Sequence, residues 1–270
     1  MAPTVKDKAA TKAASKNGFS LISDSKLRQI YSAMLTSRVM EERYAPNSGR
    51  KKPTTAGLEA MEIGAAINLR PGDHLSLVRK SRLDVVLKRN SKMVIANTPS
   101  VQRQLDTILT VARHLKSTGK PNIVVAFFDG KSATGKAWST ALSNAVTESL
   151  PILYVVKAGT AESSGDEIQQ IADQLNRRNR KLFFPVIPVD GKDVVAVYRV
   201  AFESGARVRE GTGPALIVCE IDERKTGQPE TRDPIDLMES YLAAKGLYKP
   251  ALKSAVLRRM DGLRDQSAVR

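Results

Sequence analysis

Several residue types and patterns that define common classes of protein are scarce in this sequence. It contains one cysteine, Cys219, so a disulfide framework is excluded and a reducing, cytoplasmic setting is expected. Since Cys219 ends the apolar run Ala215-Leu-Ile-Val-Cys219, we expect it to be a small buried side chain. No apolar run approaches the roughly 20 residues that span a bilayer, and no apolar signal core opens the chain. We therefore expect neither a membrane partner nor secretion.

Aromatic residues are also few, at 5% of the chain, whereas basic residues are in excess. The 43 lysines and arginines outnumber the 28 acidic residues and give a net charge of +15. Such a surface attracts nucleic acid, phosphorylated ligands or an acidic partner protein. The aromatics are too few for a base-stacking platform, and no zinc-ligand spacing occurs. We therefore favour a generally basic solvated surface over specific nucleic-acid binding, and an acidic partner stays open.

The chain divides into a short tail and one domain. Residues 1–20 are rich in Ala and Lys without an apolar period, which predicts a disordered basic tail. Residues 21–270 are long enough for one large core and show no internal repeat, so one domain is predicted. The periodicity of its first part predicts helices at 23–42, 58–69 and 82–89, and a short strand at 74–78.

From residue 101 onward, predicted helices and strands alternate. The predicted strands are the apolar runs at 123–128, 151–156, 184–189 and 214–221. The predicted helices lie at 101–117, 136–149, 165–176, 193–210, 234–242 and 253–263. Alternation of this kind predicts an α/β fold with a mostly parallel sheet and helices on both faces.

In such a sheet, ligands bind beyond the carboxyl ends of the strands. Three predicted strand ends therefore qualify as a ligand site: Asp129-Gly130, Lys157-Ala158-Gly159 and Asp190-Gly191. Asp129 also has a purely structural interpretation, as the cap of a helix over 131–149. Both interpretations stay open at this point.

The turn after Asp129 also matches a phosphate-binding loop. Gly130-Lys131-Ser132-Ala133-Thr134-Gly135-Lys136 has the pattern Gly-x-x-x-x-Gly-Lys between a predicted strand and a predicted helix. In that motif, backbone amides hold the phosphates and the lysine, here Lys136, reaches the terminal one. The next residue is Ala137, so the hydroxyl that would hold Mg²⁺ is absent. The match supports one hypothesis, a P-loop-like nucleotide binder.

A second resemblance extends over residues 27–263. Its elements follow one another in the order 31–43, Gly57-Leu58-Glu59-Ala60, Leu69-Arg-Pro-Gly-Asp-His74, Phe128-Asp129-Gly130 with Gly135, Leu150-Pro151, Val189-Asp190-Gly191, Gly213-Pro214-Ala215-Leu216 and Arg232-Asp233-Pro234-Ile235. By this order and spacing, the chain resembles the alpha subunit of the decarboxylating component of 2-oxo acid dehydrogenases, as in pyruvate dehydrogenase. The resemblance implies the thiamine-diphosphate-binding fold, thiamine diphosphate and Mg²⁺ as cofactors, and a beta-type subunit or a homo-oligomer as partner.

The same resemblance implies where the cofactor would bind. Asp129 and Gly130 occupy the last two positions of the family's Gly-Asp-Gly, whose aspartate is a metal ligand, and Mg²⁺ prefers oxygen ligands. Lys80 lies where the family has a diphosphate-contacting Tyr-Arg-x-His-Gly stretch. Lys157-Ala158-Gly159 stands where the family has Glu-Asn-Asn, which supplies the second metal ligand. Asp129, Gly130, Lys80 and Lys157 are therefore the candidate cofactor positions, and Asp129 is the candidate metal ligand.

The chain departs from the family at the positions that carry its chemistry. Lys157 brings a cation to the place of the metal, where it could compete with Mg²⁺ or pair with Asp129. Phe128 replaces the first glycine and is expected to crowd a backbone that approaches the phosphate closely. The two histidines, His74 and His114, are predicted to be structural. Since proton transfers need placed acid–base groups, we predict no catalytic residue.

Three functional hypotheses follow. The favoured one is a divergent alpha-like protein, non-catalytic or altered, that acts as a binding or assembly partner. The second is an active thiamine-diphosphate-dependent subunit that decarboxylates a 2-oxo acid oxidatively together with a beta subunit. The third is the nucleotide binder at residues 130–136.

Overall fold

The structure, a computed structural model, describes residues 22–44, 57–77, 83–88, 93–95, 100–159, 164–178, 183–221 and 233–267. The predicted tail at residues 1–20 and the candidate residue Lys80 lie outside these ranges. No helix within the described ranges is long and apolar enough to cross a bilayer.

The described chain alternates between helices and strands, as the sequence predicts. The helices are α1 (Asp24–Tyr44), α2 (Glu59–Ala66), α3 (Leu83–Val86), α4 (Val101–Ser117), α5 (Gly135–Thr147), α6 (Ser164–Arg178), α7 (Val194–Arg209), α8 (Pro234–Ala244) and α9 (Pro250–Ser267). The strands are β1 (His74–Ser76), β2 (Val94–Ile95), β3 (Val124–Asp129), β4 (Ile152–Ala158), β5 (Val186–Asp190) and β6 (Ala215–Glu220).

The six strands form one sheet in the order β2-β1-β3-β4-β6-β5, and every pairing is parallel. Side chains of β3 alternate between two apolar clusters on opposite faces. Val125 and Phe127 belong to a cluster with α1, α2, α7 and α8, whereas Ala126 and Phe128 belong to one with α4, α5 and α6. The predicted α/β fold, with a parallel sheet and helices on both faces, is therefore confirmed.

Among the differences from the predicted ranges, three concern strands and have a physical reason. β2 was not predicted, because two residues are too few to show a strand period. β4 continues through Lys157, which pairs with both neighbouring strands, and Ala158, which pairs with Glu220 of β6, so neither residue lies in a turn. β5 begins at Val186 because the backbone of Phe184 is engaged elsewhere. Its amide donates to Asn176 Oδ1 at 2.7 Å, and its carbonyl accepts from Asn176 Nδ2 at 3.0 Å.

Two partly buried ion-pair groups link helices to one another and to the segment before β1. Arg38 on α1 donates to Glu59 on α2, at 3.0 Å from Nη2, and to Asp233 before α8, at 2.9 Å from Nη1. At the amino edge, Arg209 at the end of α7 donates two hydrogen bonds to Asp73, at 2.7 and 2.5 Å. Burial alone would raise the pKa of Asp73, but the hydrogen bonds from Arg209 and from backbone amides outweigh it and lower that pKa. The first group thus joins helices to one another, and the second joins the end of α7 to the segments that enter β1 and β3.

Candidate functional site

The carboxyl edge of the sheet collects the three strand ends predicted from the sequence. Asp129 ends β3, Lys157 lies near the end of β4, and Asp190 ends β5. Asp129 is the register partner of Lys157, and neighbouring strands lie about 4.8 Å apart. On the outer pair of strands, Asp190 is the register partner of Glu220.

These four side chains divide between the two faces of the sheet. Asp129 and Lys157 share a cross-strand row with Cys219, whose side chain belongs to the cluster around α2 and α7. Glu220 and Asp190 lie in the next row, with Ala158, and so project to the opposite face. The candidate metal ligand Asp129 is thus next to a cation, while the other two carboxylates of this edge lie on the other face.

Phe128 points into the core beneath this edge. Its ring is 2% exposed and packs edge-on against Trp138 of α5, with centroids 5.0 Å apart. Tyr154 of β4 completes the group, with its ring centroid 5.3 Å from that of Trp138. The indole Nε1 of Trp138 and the hydroxyl of Tyr154 are buried and have no hydrogen-bond partner. The phenyl ring therefore anchors the end of β3 from below and does not project into the turn.

The turn after β3 is a short 3₁₀ helix, Gly130–Ser132, followed by α5. The side chain of Asp129 makes no capping hydrogen bond, and α5 begins only at Gly135. The prediction of Asp129 as the cap of a helix over 131–149 is therefore wrong, because the 3₁₀ turn separates it from that helix. Gly135 has φ +79°, a conformation that favours glycine at this junction.

The same turn bears on the phosphate-binding-loop hypothesis. In such a loop, consecutive backbone amides point at the bound phosphates. Here the amide of Ala133 donates to the carbonyl oxygens of Asp129 and Gly130, each at 3.1 Å. That amide is used within the turn, so the geometry does not favour a phosphate in this place.

The positions of the cysteine and of the two histidines do not favour a catalytic role for them. Cys219 is fully buried, and burial, together with the nearby Asp190 carboxylate, raises the pKa of its thiol. His74 lies at the start of β1, at the opposite end of the strands, and His114 is exposed in the last turn of α4. Among the described residues, no group of three or more His, Cys, Asp or Glu is arranged to hold a metal ion.

The residues present do not fit a metal-bound diphosphate. Of the two oxygen ligands that the resemblance implies, only Asp129 is present, and its cross-strand neighbour is Lys157. Ala158, at the position of the missing asparagine, has an apolar side chain that is buried in the core. A lysine ammonium beside the remaining carboxylate opposes a divalent cation in the same place.

Sequence reasoning located this edge but missed what lies beneath it. The cluster of Phe128, Trp138 and Tyr154 was not predicted, because its members come from two strands and a helix. Strand alternation was the available signal, since Phe128 and Tyr154 stand in runs whose successive residues face opposite sides.

The fold defines the class of parallel α/β proteins, in which ligands generally bind at the carboxyl ends of the strands. Within this class, the model of the family described as Dehydrogenase E1 component matches residues 76–225. That match spans more than half of the chain, and the chain belongs to this family.

Individual relatives are distant. The chain is similar to the chloroplastic pyruvate dehydrogenase E1 component subunit alpha-3 of Arabidopsis thaliana, with 26% identity over 54% of this chain and 38% of the relative. It is also similar to the 3-methyl-2-oxobutanoate dehydrogenase subunit alpha of Mycobacterium tuberculosis, with 25% identity over 89% of this chain and 77% of the relative. A solved structure, an inactive beta4 tetramer of a split-gene transketolase, has a TM-score of 0.43 and 15% identity over 66% of this chain and 55% of that chain. The alignment with the Arabidopsis relative thus covers well under half of that relative's length.

Proposed function

We propose that this chain is a divergent, alpha-like member of the 2-oxo acid dehydrogenase E1 family that acts as a binding or assembly partner and is non-catalytic or altered in catalysis. The observation that carries the proposal is the register pairing of Asp129 with Lys157 at the carboxyl edge. The candidate metal ligand has a cation of the protein itself as its cross-strand neighbour.

The electrostatics of this pair argue against a metal-bound diphosphate. A fixed positive charge near a carboxylate repels a second cation that binds the same carboxylate. A divalent cation at Asp129 would therefore be repelled by the ammonium of Lys157. Lys157 thus acts against metal binding at the position where the family's metal would sit.

The retained scaffold supports a role in association. The six strands of the described residues form one parallel sheet, and helices pack on both of its faces, so the core of the fold is kept. Because the relatives are named as alpha subunits, the partner we propose is a beta-type subunit of the same family or a second copy of this chain.

A cofactor titration tests the catalytic half of the proposal. Thiamine diphosphate with Mg²⁺ is added to the purified chain, and binding is followed by calorimetry and by the fluorescence of Trp138, the only tryptophan. We expect no saturable, Mg²⁺-dependent binding. Saturable binding that EDTA abolishes would overturn the proposal in favour of an active subunit.

A variant restores the family's residues on β4. We expect the triple variant Lys157→Glu, Ala158→Asn, Gly159→Asn to remain unable to bind the cofactor, because the stretch around Lys80 also differs from the family. The matched control is the single variant Lys157→Glu, which removes only the competing cation. Measurable binding by the triple variant would contradict the view that several determinants were lost together.

Association is tested separately from cofactor binding. The full chain is purified alone and with a beta-type E1 subunit from the same genome, and the mass of each sample is measured by light scattering after size exclusion. We expect a complex, either with the beta-type subunit or between copies, without added cofactor. A monomer that ignores the beta-type subunit would sink the assembly role and would leave the titration result standing.

A further inference from the structure

A groove of about 420 Å³ lies between α1, α3, α9 and the end of α2. α1 contributes one side of its surface to the groove, through Gln29, Ser32, Ala33, Thr36 and Met40. Residues with this spacing share one side of a helix. At a rise of about 1.5 Å per residue they extend over roughly 16 Å, so the groove is long for its volume.

The apolar side chains of this groove remain within reach of a bound molecule. Val85 of α3 is 49% exposed. The other accessible apolar side chains are partly buried and pack against the core; they are Ala33, Met40, Ile67, Leu69, Val86 and Leu87. An apolar surface that several helices share and that stays open to solvent is typical of a binding site.

The charged side chains that line the groove are cations. Lys88, directly after α3, and Arg259 of α9 both line it and are exposed. Within the described part of the chain neither forms an ion pair, and no acidic side chain lines the groove. Two unmatched cations beside an apolar surface favour an anion at this place.

Lys88 has an unfavourable backbone conformation. Its φ is +52°, in the left-handed region, which glycine adopts without strain and a residue with a Cβ adopts at a cost. Strained residues are concentrated at functional sites, where the side chain is needed in spite of that cost. The side chain of Lys88 therefore calls for a role that a glycine could not fill.

The size of the groove selects between kinds of ligand. Its volume lies within the roughly 300–1,000 Å³ of pockets for small molecules. A protein partner would need a surface of roughly 800 Å² on each side, which is far larger than a groove that holds one small molecule. The length of the groove favours a linear molecule over a compact one.

We propose that this groove binds a linear amphipathic anion, namely a fatty-acid carboxylate. Its chain lies along α1, against Ala33, Met40 and the exposed Val85, and its carboxylate lies at Lys88 and Arg259. None of these residues belongs to the carboxyl edge of the sheet, so the site is independent of the function proposed above.

The test uses decanoate as the probe, at concentrations below those at which it forms micelles. Decanol, which has the same chain without the charge, and acetate, which has the charge without the chain, are the control ligands. Binding to the full chain is followed by the NMR shifts of the methyl groups of Met40 and Val85. We expect saturable shifts with decanoate, binding of decanol that is weaker by about tenfold or more, and no saturable shift with acetate. Absence of saturable shifts with decanoate, or equal binding of decanol, would overturn the proposal.

Three variants assign the binding to this groove. Lys88→Gln and Arg259→Gln each remove one cation, and each is expected to weaken decanoate binding by about fivefold. Ala33→Phe fills the groove from α1 and is expected to weaken it by about tenfold or more. Arg103→Gln removes an exposed arginine on α4 and should leave the affinity unchanged. An equal loss with Arg103→Gln would show attraction to the general positive charge and would refute a built site.

Lys88→Gly separates a ligand-binding role from a structural one. It removes the strain and the cation together, so the midpoint of thermal unfolding should rise while decanoate binding weakens about as much as in Lys88→Gln. If Ala33→Phe fails to fold, the two cation positions still decide the question. Full decanoate affinity in both Lys88→Gly and Arg259→Gln would contradict the assignment.

Discussion

At the scale of single residues, the end of β3 rests on three aromatic side chains. The side chains of Phe128, Trp138 and Tyr154 are each at most 2% exposed, and their rings contact one another. Two of them carry a polar atom that has no hydrogen-bond partner. The group stabilises the strand by apolar burial, while its polar atoms have lost their hydrogen bonds to water without replacement.

The hydroxyl of Tyr154 makes the first prediction possible. Because it is buried without a partner, we expect Tyr154→Phe to leave the free energy of unfolding unchanged or to raise it by up to about 1 kcal/mol. The measurement is urea unfolding followed by the fluorescence of Trp138.

Tyr31→Phe is the matched control for this prediction. The hydroxyl of Tyr31 donates to Glu239 Oε1 at 2.7 Å, so its removal is expected to destabilise the protein by about 1–2 kcal/mol. Equal destabilisation by the two variants would mean that Tyr154 has a hydrogen bond after all.

At the scale of elements, α2 and α7 approach each other at a glycine. A Cβ built on Gly64 would lie 2.9 Å from Val197 Cγ1 and 3.2 Å from the backbone nitrogen of Tyr198. The second neighbour belongs to the backbone and cannot rotate away. Close packing of these helices therefore depends on the absence of a side chain at Gly64.

We predict that Gly64→Ala lowers the free energy of unfolding by about 1–3 kcal/mol, because it forces the two helices apart. Gly205→Ala, in the second half of α7, is the control. Its Cβ would have one ordinary contact, so the gain in helix propensity should stabilise the protein by up to about 1 kcal/mol. Thermal or urea unfolding measures the change in the free energy of unfolding for both variants. If both changes had the same sign, close contact between α2 and α7 at Gly64 would not explain the effect.

At the scale of the whole molecule, stability at acidic pH depends on carboxylates that are paired with arginines distant in the sequence. Burial would raise the pKa values of Asp73 and Asp233, but hydrogen bonds from Arg209 and Arg38, respectively, lower both of them. A carboxyl group whose pKa is lowered by folding stabilises the folded state above its unfolded pKa of about 3.9. That stabilisation is lost as the pH falls further, through the lowered pKa.

Arg209→Met tests this linkage. At pH 7 it leaves the buried Asp73 carboxylate unpaired, so we expect a loss of about 3 kcal/mol in the free energy of unfolding. Near pH 3 the loss should shrink, because burial then favours the protonated form of Asp73 and its pKa is raised in the variant. Arg207→Met, an exposed residue of the same helix, serves as the control and should change little at either pH. A loss that does not vary with pH would refute the role of the Asp73 charge.

Much of this architecture could be predicted from local patterns. The bounds of α4 were predicted correctly, and the four apolar runs from residue 123 onward all contain strands. Alternation of helix and strand fixed the parallel sheet, because parallel strands need a crossover of this length. The presence of Lys157 in place of the family's glutamate was also visible in the sequence, since it depends only on the order of residues along the chain.

Local sequence therefore determined the elements, the fold class and the position of the candidate site between Asp129 and Lys157. Only the tertiary structure decided which side chains meet. The sheet inserts β6 between β4 and β5, and Arg209 pairs with Asp73, 136 residues earlier in the chain. The physical reason is that the hydrophobic period of a strand shows which face of the sheet each residue takes. The neighbour of that residue across the sheet depends instead on strand order and register. For the same reason, the pairing of Asp129 with Lys157 became evident only in the folded chain.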